Sequence, residues 1–569
     1  MNILNIKRFI YSVKNTEKRR LLNRLKLVIK RRFNRLIKIC NIPRYNGRNR
    51  TLSEKFSGIK YINSDSAKNR KNFSKTKFGK AELSFINIKV ELNKKLDWHR
   101  KDLNKGTRLW KLNLHYFEWI SETSNTDFVN YITDWIENNT IYQKDYWLDS
   151  WNSYAISIRT VIWMTELSIR KERISDSKVK LISLSIQNQL IFLYRNIESD
   201  IRGNHIIKNI RALYFGFTFF PALFSEKEKT RINKLLLKEL NKQINPDGYH
   251  YELTPGYHIQ VFEDLYDVYN LLNSGKTKDV LQRKLRKMGQ IVNLLFANDN
   301  DVFKIGDTCP CTHNDRSYYA RISKNLGIRN TNFGIHDLYN SGIIIAHYKY
   351  LKILYKYNCI GNKSLPAHCH ADLHTYEVFY NGNNVITDCG VFEYNSGHHR
   401  DIARATKSHN CLTLNDKNQV DLYGAFRSGR WCKSFVNEKV IDGNNTYIKS
   451  SHNGYSNFIK KLITTRAFKN NGHNIEVVDS IDSVKTTSTV VSRIHFAKFI
   501  RLEPSDKEGQ IKVKYKSDDI AAIKVFNKKF QILNFDYYPD MNKVNQGVVL
   551  IIHLSKDEKF IKYNVIFNS

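Results

Sequence analysis

Cysteine is scarce in this chain: eight among 569 residues, at Cys40, Cys309, Cys311, Cys359, Cys369, Cys389, Cys411 and Cys432. Thiols so few and so scattered exclude a disulfide framework as the source of stability. Acid is scarce too, with 54 Asp and Glu against 92 Lys and Arg, a net charge of +38. Part of that excess reflects a general bias toward Lys, Asn and Ile. The remainder calls for an anionic partner: nucleic acid, an anionic membrane surface or an acidic polysaccharide. No apolar run reaches the roughly 18 residues of a membrane-spanning helix. Residues 1–15 interrupt their apolar residues with Lys7 and Arg8 and lack a small-residue cleavage site, so they are not expected to act as a signal peptide. A soluble protein is the expectation, cytoplasmic by default, with its compartment otherwise left open.

Several chemistries are excluded in the same way. There is no HExxH, no zinc-finger spacing and no RNA-recognition signature, so nucleic-acid binding would rest on charge alone and is not expected. Ser274–Thr277 ends like a phosphate-binding loop, but Asn270 stands where the upstream glycine belongs. Cys309 and Cys311 lie close together without a second thiol pair, which is weak metal-site spacing.

A chain of this length, 41% hydrophobic and 12% aromatic, predicts two or three domains. From Lys18 to Cys40, Leu21, Leu22, Leu25, Val28, Ile29, Phe33, Leu36, Ile37 and Cys40 recur at helical spacing and predict an amphipathic helix with a basic polar face. Such a helix either docks its apolar stripe on the parent domain, the commoner case, or lies on an anionic membrane surface. Residues 43–80 read as a linker. From about Trp98 to Asn340 the apolar residues repeat every three or four positions, predicting a helical bundle, solenoid or toroid. Beyond Ser341 short β-branched and aromatic runs between Asn, Asp and Gly predict an antiparallel sandwich. The expected division is a basic helix and linker over 1–95, a helical domain over 96–345 and a β domain over 346–569.

The densest chemistry lies between His368 and His409. A strand over 366–379 would put His368, His370, Asp372 and His374 on one face. His370, with Asp388 and His409, would make a His/Asp/His set suited to zinc or a similar cation; the alternative is a polar strand face satisfied within the fold. Upstream, Asn204 opens a predicted helix, where the ordinary role is an N-cap. Tyr257, after Pro255 and Gly256, opens another; the helix dipole would favour its phenolate, although a neighbouring cation would have to supply most of the lowering from about 10.

Taken in order, GNHxxxN from Gly203, DGxxxExTPxYH from Asp247 to His258, GDT at Gly306, HxHxDxxxxE from His368 to Glu377, TDCG at Thr387 and SHN at Ser408 resemble the heparinase II/III family of polysaccharide lyases. The resemblance spans roughly residues 100–480. It implies a multidomain α+β fold, an N-terminal α/α toroid followed by a C-terminal antiparallel β-sandwich. It also implies β-elimination at a uronic acid of an acidic polysaccharide, with processing of a cell-surface polymer among the possible roles. Asn204 would hold the substrate carboxylate, Tyr257 would act as base and as acid at the leaving oxygen, and His368 would be the partner base. Arg202 and His258 would tune substrate binding, and His370, Asp388 and His409 would hold a structural divalent metal, zinc first among candidates. Cys369 departs from the glycine common at that position and raises the question of a different ligand set. A non-catalytic glycan-binding or assembly protein on the same fold is the competing reading. Peripheral membrane contact through the basic helix remains open, as does the oligomeric state.

Overall fold

The structure is a computed structural model that describes residues 3–36, 73–75, 81–91, 96–99, 108–141, 145–310, 313–329, 333–482 and 488–568. The linker expected over 43–80 falls largely outside these residues, as do Cys40 and Cys311. The chain forms two compact units, neither one continuous segment: residues 17–242 with 260–285, and residues 1–16 with 243–259 and 286–569.

The first unit is mainly helical. After α1 (Ile3–Asn15), which belongs to the other unit, come α2 (Lys18–Leu36) and a small antiparallel meander of β1 (Phe73–Lys75), β2 (Ala81–Phe85) and β3 (Ile88–Glu91). There follow α3 (Arg108–Tyr116), α4 (Asn125–Asn138), α5 (Ser153–Arg170), α6 (Asp176–Arg195), α7 (Asn204–Phe219) and α8 (Glu226–Gln243). α9 (Pro255–Leu271) and α10 (Lys276–Leu295) pass between the two units. Local chemistry sets the starts: Ser124 Oγ accepts the Asp127 N–H, and Asn152 Oδ1 accepts those of Tyr154 and Ala155. α5 packs on α3, α6 and α7 and is buried on most of its faces. At its centre Arg159 is fully buried, donating to Gln189 Oε1, His115 O and Ser150 O, with its guanidinium 4.0 Å from the Trp135 ring centre. Lys208 to Asp264 (2.7 Å) and Arg211 to Asp267 (2.6 Å) tie α7 to α9. These pairs are buried, so removing one partner would strand a charge.

The second unit holds α1, α11 (Arg316–Asn325), α12 (His398–Ala403) and two antiparallel sheets. The strands are β4 (Gly334–Leu338), β5 (Ile343–His347), β6 (Leu351–Lys356), β7 (Tyr376–Tyr380), β8 (Asn383–Ile386), β9 (Leu412–Leu414), the short pair β10 (Leu422–Tyr423) and β11 (Arg427–Ser428), β12 (Ser434–Asp442), β13 (Asn445–His452), β14 (Thr464–Asn470), β15 (Asn474–Ile481), β16 (Val490–Phe496), β17 (Ile500–Pro504), β18 (Gln510–Tyr515), β19 (Asp518–Val525), β20 (Lys529–Asp540), β21 (Lys543–His553) and β22 (Phe560–Phe567). One sheet runs β20-β21-β16-β8-β7-β6-β5-β4 with β9 on β16, the other β12-β13-β14-β15-β22-β19-β18-β17. In β15 and β22 every second residue is buried, the period of a strand with one face inward. Ile353, Val378, Ile494 and Leu550 of one sheet share a core with Ile448, Val477, Ile523 and Val565 of the other. Tyr355 stacks on Phe468 at 4.2 Å between ring centres. The fold class is the expected one, a helical part followed by an antiparallel sandwich.

Two local expectations fail. The strand expected over 366–379 begins only at Tyr376, because residues 361–375 run as turns and His374 has φ of +73°. The alternation of polar and apolar residues there comes from tertiary partners: His374 reaches Ser450, Asp372 pairs with Lys356 at 2.7 Å, and His368 and His370 turn elsewhere. Asn204 is not an N-cap, since Gly203 holds that position and the Asn204 amide donates to Gln260 Oε1 at 2.9 Å.

Four histidines of the second unit are buried as neutral imidazoles, burial pushing His258 down to about 4 and His347, His452 and His495 down to about 3. In the unfolded chain they titrate near 6.5. Between those values the unfolded chain binds more protons, so stability falls as pH falls. Each of the four groups adds to that loss as pH passes below about 6.5. The thermal midpoint should therefore drop steadily from about pH 7 to about pH 5; an unchanged midpoint would contradict this assignment.

Candidate active site

Residues 247–258 and 305–309 build the floor of the site around one carboxylate, Asp307, which is fully buried. Asp307 Oδ2 accepts from His368 Nδ1 at 2.9 Å, and Oδ1 accepts from His370 Nε2 at 2.9 Å. The buried Arg400 guanidinium grips the same carboxylate through both terminal nitrogens, one of them 2.8 Å from Oδ2. Burial alone would raise this carboxyl; the Arg400 charge and the hydrogen bonds from His368, His370 and Arg400 overcome it and hold Asp307 well below the usual range.

The neighbours of Asp307 explain the rest of the GDT motif. Gly306 has φ of +64°, and a Cβ there would stand 2.9 Å from His368 O and from Thr254 Oγ1, so only glycine fits. Thr308 Oγ1 accepts the Gly256 N–H at 3.1 Å and thereby satisfies a free donor in the first turn of α9, where Pro255 sits at the first position. That turn presents Tyr257. Its ring lies on the His368 imidazole with centres 3.6 Å apart and planes 20° apart, and its hydroxyl is 3.1 Å from that of Tyr394. Burial, then the nearby Tyr394 and Asp307, push Tyr257 well above 10, opposite to the lowering expected from the helix dipole. The nearby Arg400 charge does not reverse this, and Tyr257 rests as a phenol. Because the Asp307 carboxylate accepts only from a protonated Nδ1, the tautomer it selects for His368 leaves the other nitrogen, Nε2, to act on a ligand; Nε2 lies 3.9 Å from Glu252 Oε2.

His370, Asp388 and His409 converge, with one ligand atom from each within 4.8 Å of the others. All three are fully buried. His370 Nδ1 and His409 Nε2 have no hydrogen-bond partner, which buried imidazole nitrogens rarely tolerate, while His409 Nδ1 meets Asp388 Oδ2 at 2.7 Å. Two orphaned imidazole nitrogens beside a carboxylate fit a divalent cation with an open fourth position. Cys369 does not join them. It is buried among Ile360, Ala371, Leu373 and Val420, and burial pushes its thiol up to about 12, so it is no ready ligand.

The remaining expected residues are placed differently. His258 is buried with both nitrogens engaged, Nδ1 accepting the His250 N–H at 3.1 Å and Nε2 meeting Met288 O at 3.0 Å. It pins the turn before α9 and does not reach out to a ligand. Arg202 and Asn204 lie in the helical unit. Arg202, with φ of +68°, gives its guanidinium to Glu239 (2.6 Å) and Glu17 (2.8 Å). Asp307, Arg400, Tyr394 and Glu252 had no role assigned from sequence; GDT and the glutamate of DGxxxExTP were the available signals for two of them.

Models of two parts of one family match this chain: heparinase II/III N-terminus over residues 48–315 and heparinase II/III-like C-terminal over residues 330–563. The chain belongs to the heparinase II/III family. Among curated relatives, a heparin-sulfate lyase of Bacteroides thetaiotaomicron is 24% identical over 336 residues, 50% of this chain and 47% of the relative. A heparin-sulfate lyase of Pedobacter heparinus is 24% identical over 243 residues, 38% of this chain and 37% of the relative. The chain thus spans about half the length, or less, of the curated relatives it matches. Among solved structures, heparinase III superposes with a TM-score of 0.67 at 18% identity, covering 91% of this chain and 86% of that one. The heparan sulfate lyase of Pedobacter heparinus gives 0.58 at 16% identity, covering 92% and 84%. These likenesses establish the fold.

The buried trio generates a direct test of this family member. Elemental analysis after gentle purification should find one divalent ion per chain, and His370→Ala and His409→Ala should each weaken its retention by at least the roughly tenfold that loss of an outer-shell partner costs. Full metal content in both variants would remove the trio as the site.

Proposed function

We propose that the protein is a polysaccharide lyase that cleaves a uronic-acid-containing acidic polysaccharide by β-elimination. The observation that carries this reading is the stack of Tyr257 on His368, with His368 held by Asp307. The names of the curated relatives and the net charge of +38 support an acidic glycan as partner.

In this reading His368 Nε2 takes the proton from C5 of the uronate. The electrons left at C5 form the C4–C5 double bond, the bond from C4 to the glycosidic oxygen breaks, and the Tyr257 phenol donates its proton to that oxygen. An unsaturated uronate and a new hydroxyl end result. A phenol kept protonated by burial suits the acid role directly, and this is why we assign the base to His368. Asp307 fixes the His368 tautomer and would stabilise the imidazolium, the part an orienting carboxylate plays for a histidine base. Elimination also needs the substrate carboxylate neutralised as charge builds. Asn204 is proposed for that role on its GNHxxxN motif, while Arg202 and His258 are assigned to positioning because protein partners already hold them. His370, Asp388 and His409 would hold zinc, whose charge would fix the turn that carries His368.

Incubation with a panel of acidic polysaccharides should release ultraviolet-absorbing unsaturated ends. Reducing ends without that absorbance would mean hydrolysis, and binding without cleavage would favour a glycan-binding protein. Tyr257→Phe should lower turnover by about 10²–10⁴ with little change in melting temperature. Turnover like the parent's would sink the acid assignment.

A further inference from the structure

The two N-terminal helices are amphipathic, and both face the wrong way for helices that serve only to cover a core. In α2 one row of polar residues reaches the body of the unit. Arg20 Nε donates to Asp200 O at 3.0 Å, Asn23 Nδ2 to Ser199 O at 3.4 Å, and Lys30 Nζ to Arg195 O at 3.1 Å and Asn196 Oδ1 at 3.0 Å. Glu17, one residue ahead of the helix, receives Arg202 and Lys242. One apolar row points out, while Leu21 and Leu27 are half-buried: Leu22 is 57% exposed, Leu25 58%, Ile29 48% and Phe33 56%, a stripe at steps of three and four, with Val28 beside it. The docking of the apolar stripe favoured from sequence is thus reversed. In the other unit α1 repeats the pattern. Arg8 pairs with Asp421 at 2.8 Å and Asn15 Nδ2 donates to Gly429 O at 3.1 Å, while Ile6, Phe9, Ile10 and Val13 are exposed.

The charge on α2 selects the occupant of its outer face. Lys18–Leu36 carries nine Lys and Arg and no acid, and Lys18, Arg19, Arg24 and Lys26 are exposed around the stripe. A second copy of this face would bring like charges together, which opposes self-pairing. An acidic polysaccharide would meet the cations but leave the Leu and Ile side chains without a counterpart. An anionic lipid surface takes both: acyl chains for the stripe, headgroups for the cations. Among the described residues no helix is long and apolar enough to cross a membrane, so α2 would lie on the surface.

We propose that α2, with its outward stripe of Leu22, Leu25, Ile29 and Phe33 flanked by exposed Lys and Arg, is a docking face for an anionic lipid surface. This is independent of the lyase reading and places the enzyme at a membrane rather than changing its chemistry. The test is co-sedimentation of the full chain with phosphatidylcholine vesicles, with and without phosphatidylglycerol. The protein should sediment with the anionic vesicles and stay in solution with the neutral ones. Because the stripe is exposed, Leu25→Asp with Phe33→Asp should leave the melting temperature unchanged and weaken association by about tenfold or more. Lys18→Gln with Lys26→Gln should weaken it too, and more at low salt than at high salt. No association with anionic vesicles would overturn the proposal. So would association that Leu25→Asp with Phe33→Asp leaves unchanged, or a dimer of the parent that these substitutions dissociate, which would make a second copy the occupant.

Discussion

The site depends on the Asp307 carboxylate, fully buried between two imidazoles and a guanidinium. An isolated carboxylate in such a place would protonate. Arg400 keeps it charged, and the charge then does two things at once: Oδ2 orients His368, whose ring carries Tyr257, and Oδ1 orients His370, which converges with Asp388 and His409. The histidine proposed as base and the histidine of the buried His/Asp/His trio are therefore set by opposite oxygens of one group. A shift of the trio would reach Asp307 through a single imidazole, so an ion held there, as proposed, would act on His368 without touching a substrate.

The same economy runs through the surrounding loops. Gly306 lets the chain pass close under His368 O, Thr308 anchors the first turn of α9, and His258 locks the turn before it. None of these groups has to meet a ligand to matter. They determine where the Tyr257 ring lies, and a displaced ring would lose both its stack on His368 and its hydroxyl contact with Tyr394.

Much of the fold was legible because periodicity reports burial. The alternation in Asn474–Ile481 and the three-and-four spacing of Ser153–Arg170 each match one element. The HxHxDxH alternation misled for a physical reason: a turn whose side chains go to separate partners can copy the period of a strand. The trio His370, Asp388 and His409 was legible through its motifs. Asp307 stood in the GDT motif but its role was not legible, since its partners lie 61, 63 and 93 residues away and no local pattern names the donors an acceptor will meet. Tyr394, 137 residues from Tyr257, was hidden in the same way. The N-terminal stripe was visible, but which side it turned to solvent is a tertiary fact.

The central claim is that Asp307 makes His368 competent by holding it. It is tested most directly by the turnover of Asp307→Asn on a polysaccharide that the parent cleaves to unsaturated ends, with near-ultraviolet circular dichroism verifying the fold. The substitution keeps the size of the side chain and removes its charge. It leaves Arg400 buried without its counter-charge, which should lower stability by about 3–5 kcal/mol. In the protein that remains folded, turnover should fall at least about 100-fold, more than any loss of substrate affinity. A folded Asp307→Asn enzyme with the parent's turnover would contradict the account.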